Sequence, residues 1–425
     1  MFLQAEASFL ALSSLLGKTR SGVSVTSSFS WLDFSDFERR RALEVISRLA
    51  EHDTVDELGI GSVRDALSEI LFPATSVIHT RARYFFFVPW IYLKLEEARV
   101  SSDKIASAAR KAELGLIEVL LASDDSEGTI GSRARQGLKI LPSAIYWAAL
   151  HRLGIRSFRG TRDRYHRSLD RFYMNRALSR RNRDEELVER FRTSNWDQHL
   201  PSPPSDFPTA VSLTLRKAEA EYLRERIVFS APKTLYRYLV ETDDPVAEAD
   251  FPWEYPAVYE LPTHVQEELH HAQNFSEIMH GAALLYNLML AQLEDKEDKI
   301  AEYKEWLADW REECGERWEA LDAWDTRRFW EIASMGGTRI LPTTKLFIES
   351  WINLSRTTRG KNIVTNKTAR DLILFRERQL KKDKSRLDNK RAREAWTGYA
   401  GVSRLVFRWE IARQMLSDIE VGLNP

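Results

Sequence analysis

The sequence has 425 residues, of which 62 are lysine or arginine and 63 are aspartate or glutamate, so its net charge is −1. The single cysteine, Cys314, excludes a disulfide framework and a zinc site built from cysteines, and indicates a reducing compartment. The most apolar run, residues 84–93, is about half the ~18 residues of a membrane-spanning helix, so we expect a cytoplasmic protein without membrane contact. Glycine and proline are scarce, which favours a mainly α fold with several helical domains.

The first part of the chain reads as a leader followed by helices. Residues 1–28 are expected to be a poorly ordered leader, and a capping box at 35–38 predicts the first helix. Ser62 can cap a second helix that Pro73 ends. A short extended piece at 76–79 leads into the aromatic run, and further helices are predicted near 102–122 and 142–153.

The segment 131–192 carries 16 basic and 6 acidic residues, a local balance of +10. Pro142 opens a short helix, Gly154 ends it, and a basic helix near 161–178 follows, which is the layout of helix-turn-helix and winged-helix modules. Within the basic helix, Arg164, Arg167 and Arg171 fall within about 60° of one another, while the apolar Tyr165, Leu169 and Phe172 lie on a neighbouring face. Arginine binds phosphate with a two-pronged fork, so these three residues are predicted to contact DNA, together with Arg156 and Arg159. The alternative is that a G·C-rich genome enriches arginine everywhere.

Four prolines between residues 194 and 211 predict a domain boundary. The sequence therefore divides into a helical DNA-binding and pocket domain at 29–193, a proline-rich irregular region at 194–262 and a helical domain at 263–425. The last domain has helical patterns near 263–293, 296–321 and 364–396, and then a short C-terminal helix. Residues 241–331 hold 24 acidic and 7 basic residues, which suggests a surface for a protein partner. Residues 356–393 are basic again, at +10, and could follow phosphates or simply be solvated.

Few patterns for bound groups occur. Two Glu-x-x-His units, Glu268…His271 and Glu277…His280, are nine residues apart and so face opposite sides of one helix, which argues against a shared metal. Phosphate-loop, dinucleotide and nucleophile-elbow fingerprints are missing from the sequence, and we expect neither metal nor cofactor.

The densest polar and aromatic stretch runs from residue 53 to residue 90. It could form a pocket with a base-stacking wall, or a core whose arginines pair with Asp56 and Glu57. The candidate pocket residues are His79, Arg81, Arg83 and Tyr84 in this stretch, with His280 and Asn287 further along the chain.

Four motifs resemble a bacterial family of unknown function found in genomic defence neighbourhoods. They are Ser-Trp-Leu-Asp-Phe-Ser at 30–35, Asp-Glu-Leu-Gly-Ile-Gly at 56–61, Thr-Arg-Ala-Arg-Tyr-Phe-Phe at 80–86 and His-Gly-Ala-Ala-Leu-Leu-Tyr-Asn at 280–287. The stretch that begins at Arg81 also looks like the Arg-Ala-His-His stretch of winged-helix alkylpurine DNA glycosylases. Phe72 and Ala74 stand where those enzymes carry their catalytic motif, so the catalytic residues do not carry over.

This second resemblance implies a DNA glycosylase that excises modified bases, such as glucosylated hydroxymethylcytosine, from phage double-stranded DNA. Asp56, Glu57 or Glu277 would then stabilise the cationic sugar, while Arg81 and Arg83 would hold phosphate or the flipped base. The alternative is a non-enzymatic helical DNA-binding subunit of an antiphage complex.

Overall fold

The computed structural model describes residues 56–181, 194–242 and 249–424. The leader and the helix predicted at residue 35 lie outside these ranges. The mainly α prediction is confirmed, because the described residues form fourteen α-helices and no strand. The helices are α1 Gly61–Leu71, α2 Tyr84–Glu97, α3 Ile105–Leu121, α4 Pro142–Arg152, α5 Arg162–Arg181, α6 Lys217–Ser230, α7 Leu235–Glu241, α8 Thr263–Leu293, α9 Glu297–Ala323, α10 Thr326–Met335, α11 Pro342–Thr358, α12 Lys367–Lys381, α13 Lys390–Arg393 and α14 Trp409–Leu423.

The aromatic run forms α2, which is buried on nearly every side. A helix that is apolar all round is stable only inside a core, and α2 packs against α3 and α4. It therefore brings α4, and with it the turn into α5, onto the main core. None of the helices in the described ranges is long and apolar enough to cross a membrane.

The 31-residue helix α8 lies at the centre of the C-terminal half, where it contacts α1, α9, α11 and α12. Gly281 lets α9 approach closely, because a Cβ there would lie 2.5 Å from Trp310 Cε2. The Trp310 indole donates to the Glu277 carbonyl oxygen at 2.7 Å, which holds the ring against α8.

The proline-rich region does not separate two cores. It contains α6 and α7, which both pack against α14, and the buried Phe207 and Leu213 belong to the same core as α2 and α8. The described residues from 56 to 424 form one compact unit. Proline content marks where backbone hydrogen bonding stops, but burial decides whether a core is interrupted.

The basic pattern near 364–396 is not one long helix. Helix α12 ends at Lys381, Lys382 has a positive φ of 50°, and the chain turns back before the four-residue α13. The cause is Glu377, a buried carboxylate that accepts hydrogen bonds from the backbone N–H groups of Arg386 and Leu387, each at 2.9 Å. Glu377 accepts a third hydrogen bond, from Ser385 Oγ at 2.8 Å. Three charge-assisted hydrogen bonds to one buried carboxylate stabilise this turn more than a continued helix would be stabilised by its apolar pattern.

The two helices predicted for a helix-turn-helix are formed as α4 and α5, but residues 153–161 separate them, which is longer than the three- or four-residue turn of that motif. A winged helix would add a β-hairpin, and over the described ranges the β-pairing consists of one isolated bridge between Arg156 and Trp196. The module is therefore a helix pair without a wing in this part of the chain.

Candidate functional site

Helix α5 has a buried face and an exposed face, as its spacing predicts. Tyr165 packs edge-on against Tyr92 and Trp147, with ring centroids 5.4 and 5.3 Å away, and its hydroxyl donates to the buried Glu96. Leu169 and Phe172 continue this buried side. Large rings in these contacts fix the rotation of the helix about its axis.

The neighbouring face of α5 presents Arg164, Arg167 and Arg171 to solvent, and Arg159 is exposed in the preceding turn. Arg167 forms an ion pair with Asp163 one turn earlier on the same helix, and both side chains are largely exposed. An exposed pair of this kind is weak, so a stronger anion can displace the carboxylate.

Arg156 does not belong to this exposed set. Its guanidinium is buried over the Trp147 ring at 4.4 Å and donates to the carbonyl oxygens of Trp147, Phe158 and Gly160. It therefore holds the turn between α4 and α5 in shape, and phosphate cannot reach it without unfolding that turn.

A buried link that sequence reasoning missed fixes the first turn of α5. Glu113 of α3 accepts the backbone N–H of Ser143 at 2.7 Å and its hydroxyl at 2.8 Å, and Arg162 donates to the same Ser143 oxygen at 2.6 Å. Burial raises the pKa of Glu113 to about 7. Its partners are 30 residues away in the sequence, and no local pattern indicates them.

The expected base pocket at residues 79–84 is not formed as predicted. Arg83 is buried and makes a two-pronged pair with Glu219, at 2.9 and 3.2 Å. The Tyr84 hydroxyl accepts the N–H of Ile130 at 2.9 Å inside the core. The alternative, in which these arginines pair with Asp56 and Glu57, is also wrong. Arg81 pairs with Asp125 and Asp418, and Arg83 pairs with Glu219.

His79 lies inside the protein. Its ring stacks on Tyr146 at 4.2 Å, and Nε2 donates to the Ile145 carbonyl oxygen at 3.3 Å. Burial lowers the pKa of His79 to about 4, so it is neutral at physiological pH. This ring anchors the segment before α2 to α4.

Asp56 and Glu57 have structural partners. Asp56 accepts the N–H groups of Ile60 and Gly61, at 2.8 and 2.6 Å, and so caps the start of α1. Glu57 is buried between Lys381 and Arg386, the latter at 2.6 Å. The carboxylate partners of Arg81 and Arg83 are instead Asp125, Asp418 and Glu219.

Glu277 is held between Arg317 and Arg404, the second at 3.3 Å, with Gln273 donating at 3.0 Å. His280 is largely buried one turn further along α8, and burial lowers its pKa to about 3.

Asn287 uses its amide to fasten the segment before α14. Its Oδ1 accepts hydrogen bonds from the Trp396 indole N–H at 3.0 Å and from the Ala400 N–H at 2.9 Å. Its Nδ2 donates a hydrogen bond to the Ala400 carbonyl oxygen at 2.8 Å. The predicted pocket and catalytic residues therefore occupy several separate places, and the structure does not bring them together.

Among the predicted pocket residues, Arg81 lines an open cleft of about 440 Å³. Its guanidinium donates to Asp125 at 2.8 Å and to Asp418 at 2.8 Å, so one cation bridges two carboxylates. Burial raises the pKa of Asp418. Burial acts in the same direction on Asp125, but hydrogen bonds from Arg81 and Thr214 lower its pKa overall. Both oxygens of Asp418 accept hydrogen bonds, from Arg81, from Gln414 and from the Ala82 N–H, so its carboxylate is fixed in place.

Sequence reasoning missed Asp125 and Asp418 because they lie 44 and 337 residues from Arg81 and belong to no motif. Over the ranges that the structure describes, no three or more His, Cys, Asp or Glu side chains are grouped to hold a metal ion.

A model of a family of unknown function, DUF6361, matches residues 26–422 of the chain. No curated protein and no solved structure matches the chain.

Proposed function

The chain belongs to the family of unknown function DUF6361, and from its own geometry we propose that it binds duplex DNA through the exposed face of α5. The observation that carries this proposal is the exposed row of Arg164, Arg167 and Arg171 on a helix whose neighbouring face is buried among aromatic rings. An arginine row on a helix that cannot rotate presents its charge without reorganisation, which lowers the cost of binding.

The dimensions of the row suit a phosphate backbone. At 1.5 Å per residue, Arg164 and Arg171 are separated by about 10.5 Å along the helix axis. Each strand of duplex DNA carries one charge per about 3.4 Å of the helix axis, so guanidinium groups over this span can reach two or three phosphates of one strand. Arginine enrichment by genome composition would not by itself align the side chains on one face.

The test compares two triple variants in full-length protein. Arg164, Arg167 and Arg171 are replaced by glutamine in one, and the exposed Arg311, Arg327 and Arg339 in the other, so that both lose the same charge. Binding to a short labelled duplex is followed by anisotropy over a range of salt concentrations.

We expect the α5 variant to bind at least about tenfold more weakly at low salt, while the control stays near wild type. Each lost phosphate contact reduces the slope of log K against log salt by about 0.9, so the slope should fall by up to about 2.7. Equal losses in both variants would show that only net charge matters and would refute the α5 interface.

A second candidate function, hydrolysis of the N-glycosidic bond of a modified base, is favoured by the cleft beside Arg81. The transition state is cationic at the sugar, and the ionised Asp125 at this cleft could stabilise it. The proposed chemistry therefore uses Asp125 instead of Asp56, Glu57 or Glu277. Phage DNA with glucosylated hydroxymethylcytosine is the substrate to try first.

This candidate is tested by measuring abasic sites after incubation with modified and unmodified phage DNA. Asp125→Asn should abolish release of the base, whereas Glu127→Gln at the rim of the same cleft should leave it near wild type. A wild-type protein that releases no base from any modified DNA would remove this candidate and leave the α5 proposal standing.

A further inference from the structure

The turn at Ser76–His79 exposes two adjacent aliphatic side chains. The His79 N–H donates to the Ser76 carbonyl oxygen at 2.9 Å, which places Val77 and Ile78 at the two central positions. They are 64% and 51% exposed. Such positions usually carry glycine, proline, asparagine, aspartate or serine, so two β-branched apolar residues here break the local rule. Rules broken in this way are expected mainly at functional sites.

The turn is held rigidly on both sides. Before the turn, the Thr75 carbonyl oxygen accepts a hydrogen bond from Arg408 Nη1 at 2.8 Å, and the Ala74 backbone has a left-handed φ of 64°. After it, the His79 ring is stacked on Tyr146, and the Thr80 N–H donates to the Tyr146 hydroxyl at 3.0 Å. A loop fixed by this many contacts presents its apolar tip in one orientation.

Helix α4 lies between this turn and α5. His79 meets α4 at Ile145, and Arg162 of α5 meets it at Ser143, which is about 200° away around the helix. The solvent-facing strip between those two sides carries the small Ala144 and Ala148. The turn and the start of α5 therefore contact α4 on roughly opposite sides, with this strip of small residues between them.

We infer that Val77 and Ile78 form an apolar wedge that enters the base stack of the duplex whose backbone α5 holds. This inference rests on the DNA binding proposed above. Two side chains are far too few for a stable protein interface, which needs about 800 Å² on each partner, but they suffice to separate one base step. Aliphatic wedges beside phosphate-binding arginines are a general means of kinking DNA.

The test uses Val77→Ser with Ile78→Ser in the full chain, and Leu341→Ser with Leu346→Ser as the control, since those leucines are also exposed aliphatic residues. The probes are short duplexes with 2-aminopurine at successive positions, whose fluorescence rises on unstacking, and a duplex with one central mismatch. Anisotropy on the same samples reports binding itself.

Wild type and control should raise the fluorescence at one or two neighbouring positions and bind the mismatched duplex several-fold more tightly than the matched one. The wedge variant should still bind with an unchanged salt slope, but lose both the fluorescence rise and the mismatch preference. If the wedge variant keeps both, or if wild type binds without unstacking any position, the wedge is refuted while DNA binding stands. If anisotropy shows no binding by wild type, the α5 proposal fails, and the wedge falls with it.

Discussion

Replacing Gly281 with alanine tests the close contact between α8 and α9. The added Cβ would lie 2.5 Å from Trp310 Cε2 and 2.8 Å from Cη2. The ring is buried and its indole N–H is bound to the Glu277 carbonyl oxygen, so it cannot swing away without breaking that bond. The helices must therefore separate or the indole must lose its partner.

The expected cost follows from two opposing effects. Overpacking a core costs about 1–3 kcal/mol, and a lost buried hydrogen bond adds about 1–3 kcal/mol. Alanine recovers about 1 kcal/mol relative to glycine through helix propensity. We expect a net loss of about 3 kcal/mol in the free energy of unfolding, which is the middle of these ranges.

Gly315→Ala in α9 is the matched control. It is the same substitution in a neighbouring long helix, but nothing lies within 4 Å of the new Cβ. Only the gain in helix propensity remains, so this variant should be more stable by about 0.4–1 kcal/mol. Urea unfolding followed by tryptophan fluorescence measures both. If Gly281→Ala is neutral or stabilising, α8 and α9 do not pack as closely as described.

Three further outcomes are expected. Asp163→Asn releases Arg167 and removes a negative charge from the exposed face of α5, so DNA affinity at low salt should rise about threefold or more; unchanged affinity would mean that Arg167 contacts no phosphate. Burial raises the pKa of Glu113 to about 7 from 4.5, so the folded protein binds this proton more tightly than the unfolded chain. The protonated Glu113 therefore contributes stability that is complete below about pH 4.5 and is lost as pH rises through about 7. The urea midpoint of the wild type should be lower at about pH 8 than at about pH 5.5 because of this group, and Glu113→Gln should remove that difference. Arg156→Lys keeps the charge but loses the stacking on Trp147 and most of the carbonyl contacts, so thermal denaturation should show a loss of about 2 kcal/mol, and a Tm equal to wild type would contradict the assigned role.

Local signals in the sequence predict many of the helices well. The pattern near 263–293 coincides with α8, Thr263–Leu293, because Pro262 marks the start and the apolar repeat continues to the end. The prediction near 142–153 matches α4, since Pro142 and Gly154 are start and stop signals that act on their own neighbours. Signals of this kind require no knowledge of the rest of the chain.

Side-chain partners could not be predicted in the same way. Arg83 pairs with Glu219, 136 residues away, and Glu377 breaks the basic pattern by binding N–H groups that come after the helix has ended. Helical spacing gives the face on which a side chain lies, but not what the fold brings to that face. The carboxylates predicted to be catalytic are for this reason found in caps and ion pairs, and the cleft beside Arg81 contains two that no motif indicated.

The arginines around α5 show how burial divides one residue type into two roles. Arg156 and Arg162 point inward, to Trp147 and Ser143, and set the position of the helix, whereas Arg164 and Arg171 point outward and carry only charge. Changing an inner arginine should therefore weaken DNA binding through the stability and placement of α5. Changing an outer arginine should weaken it through the salt slope, with stability unaltered. Because the two effects are measured separately, the role of each arginine can be assigned even though all of them lie in a single basic stretch of sequence.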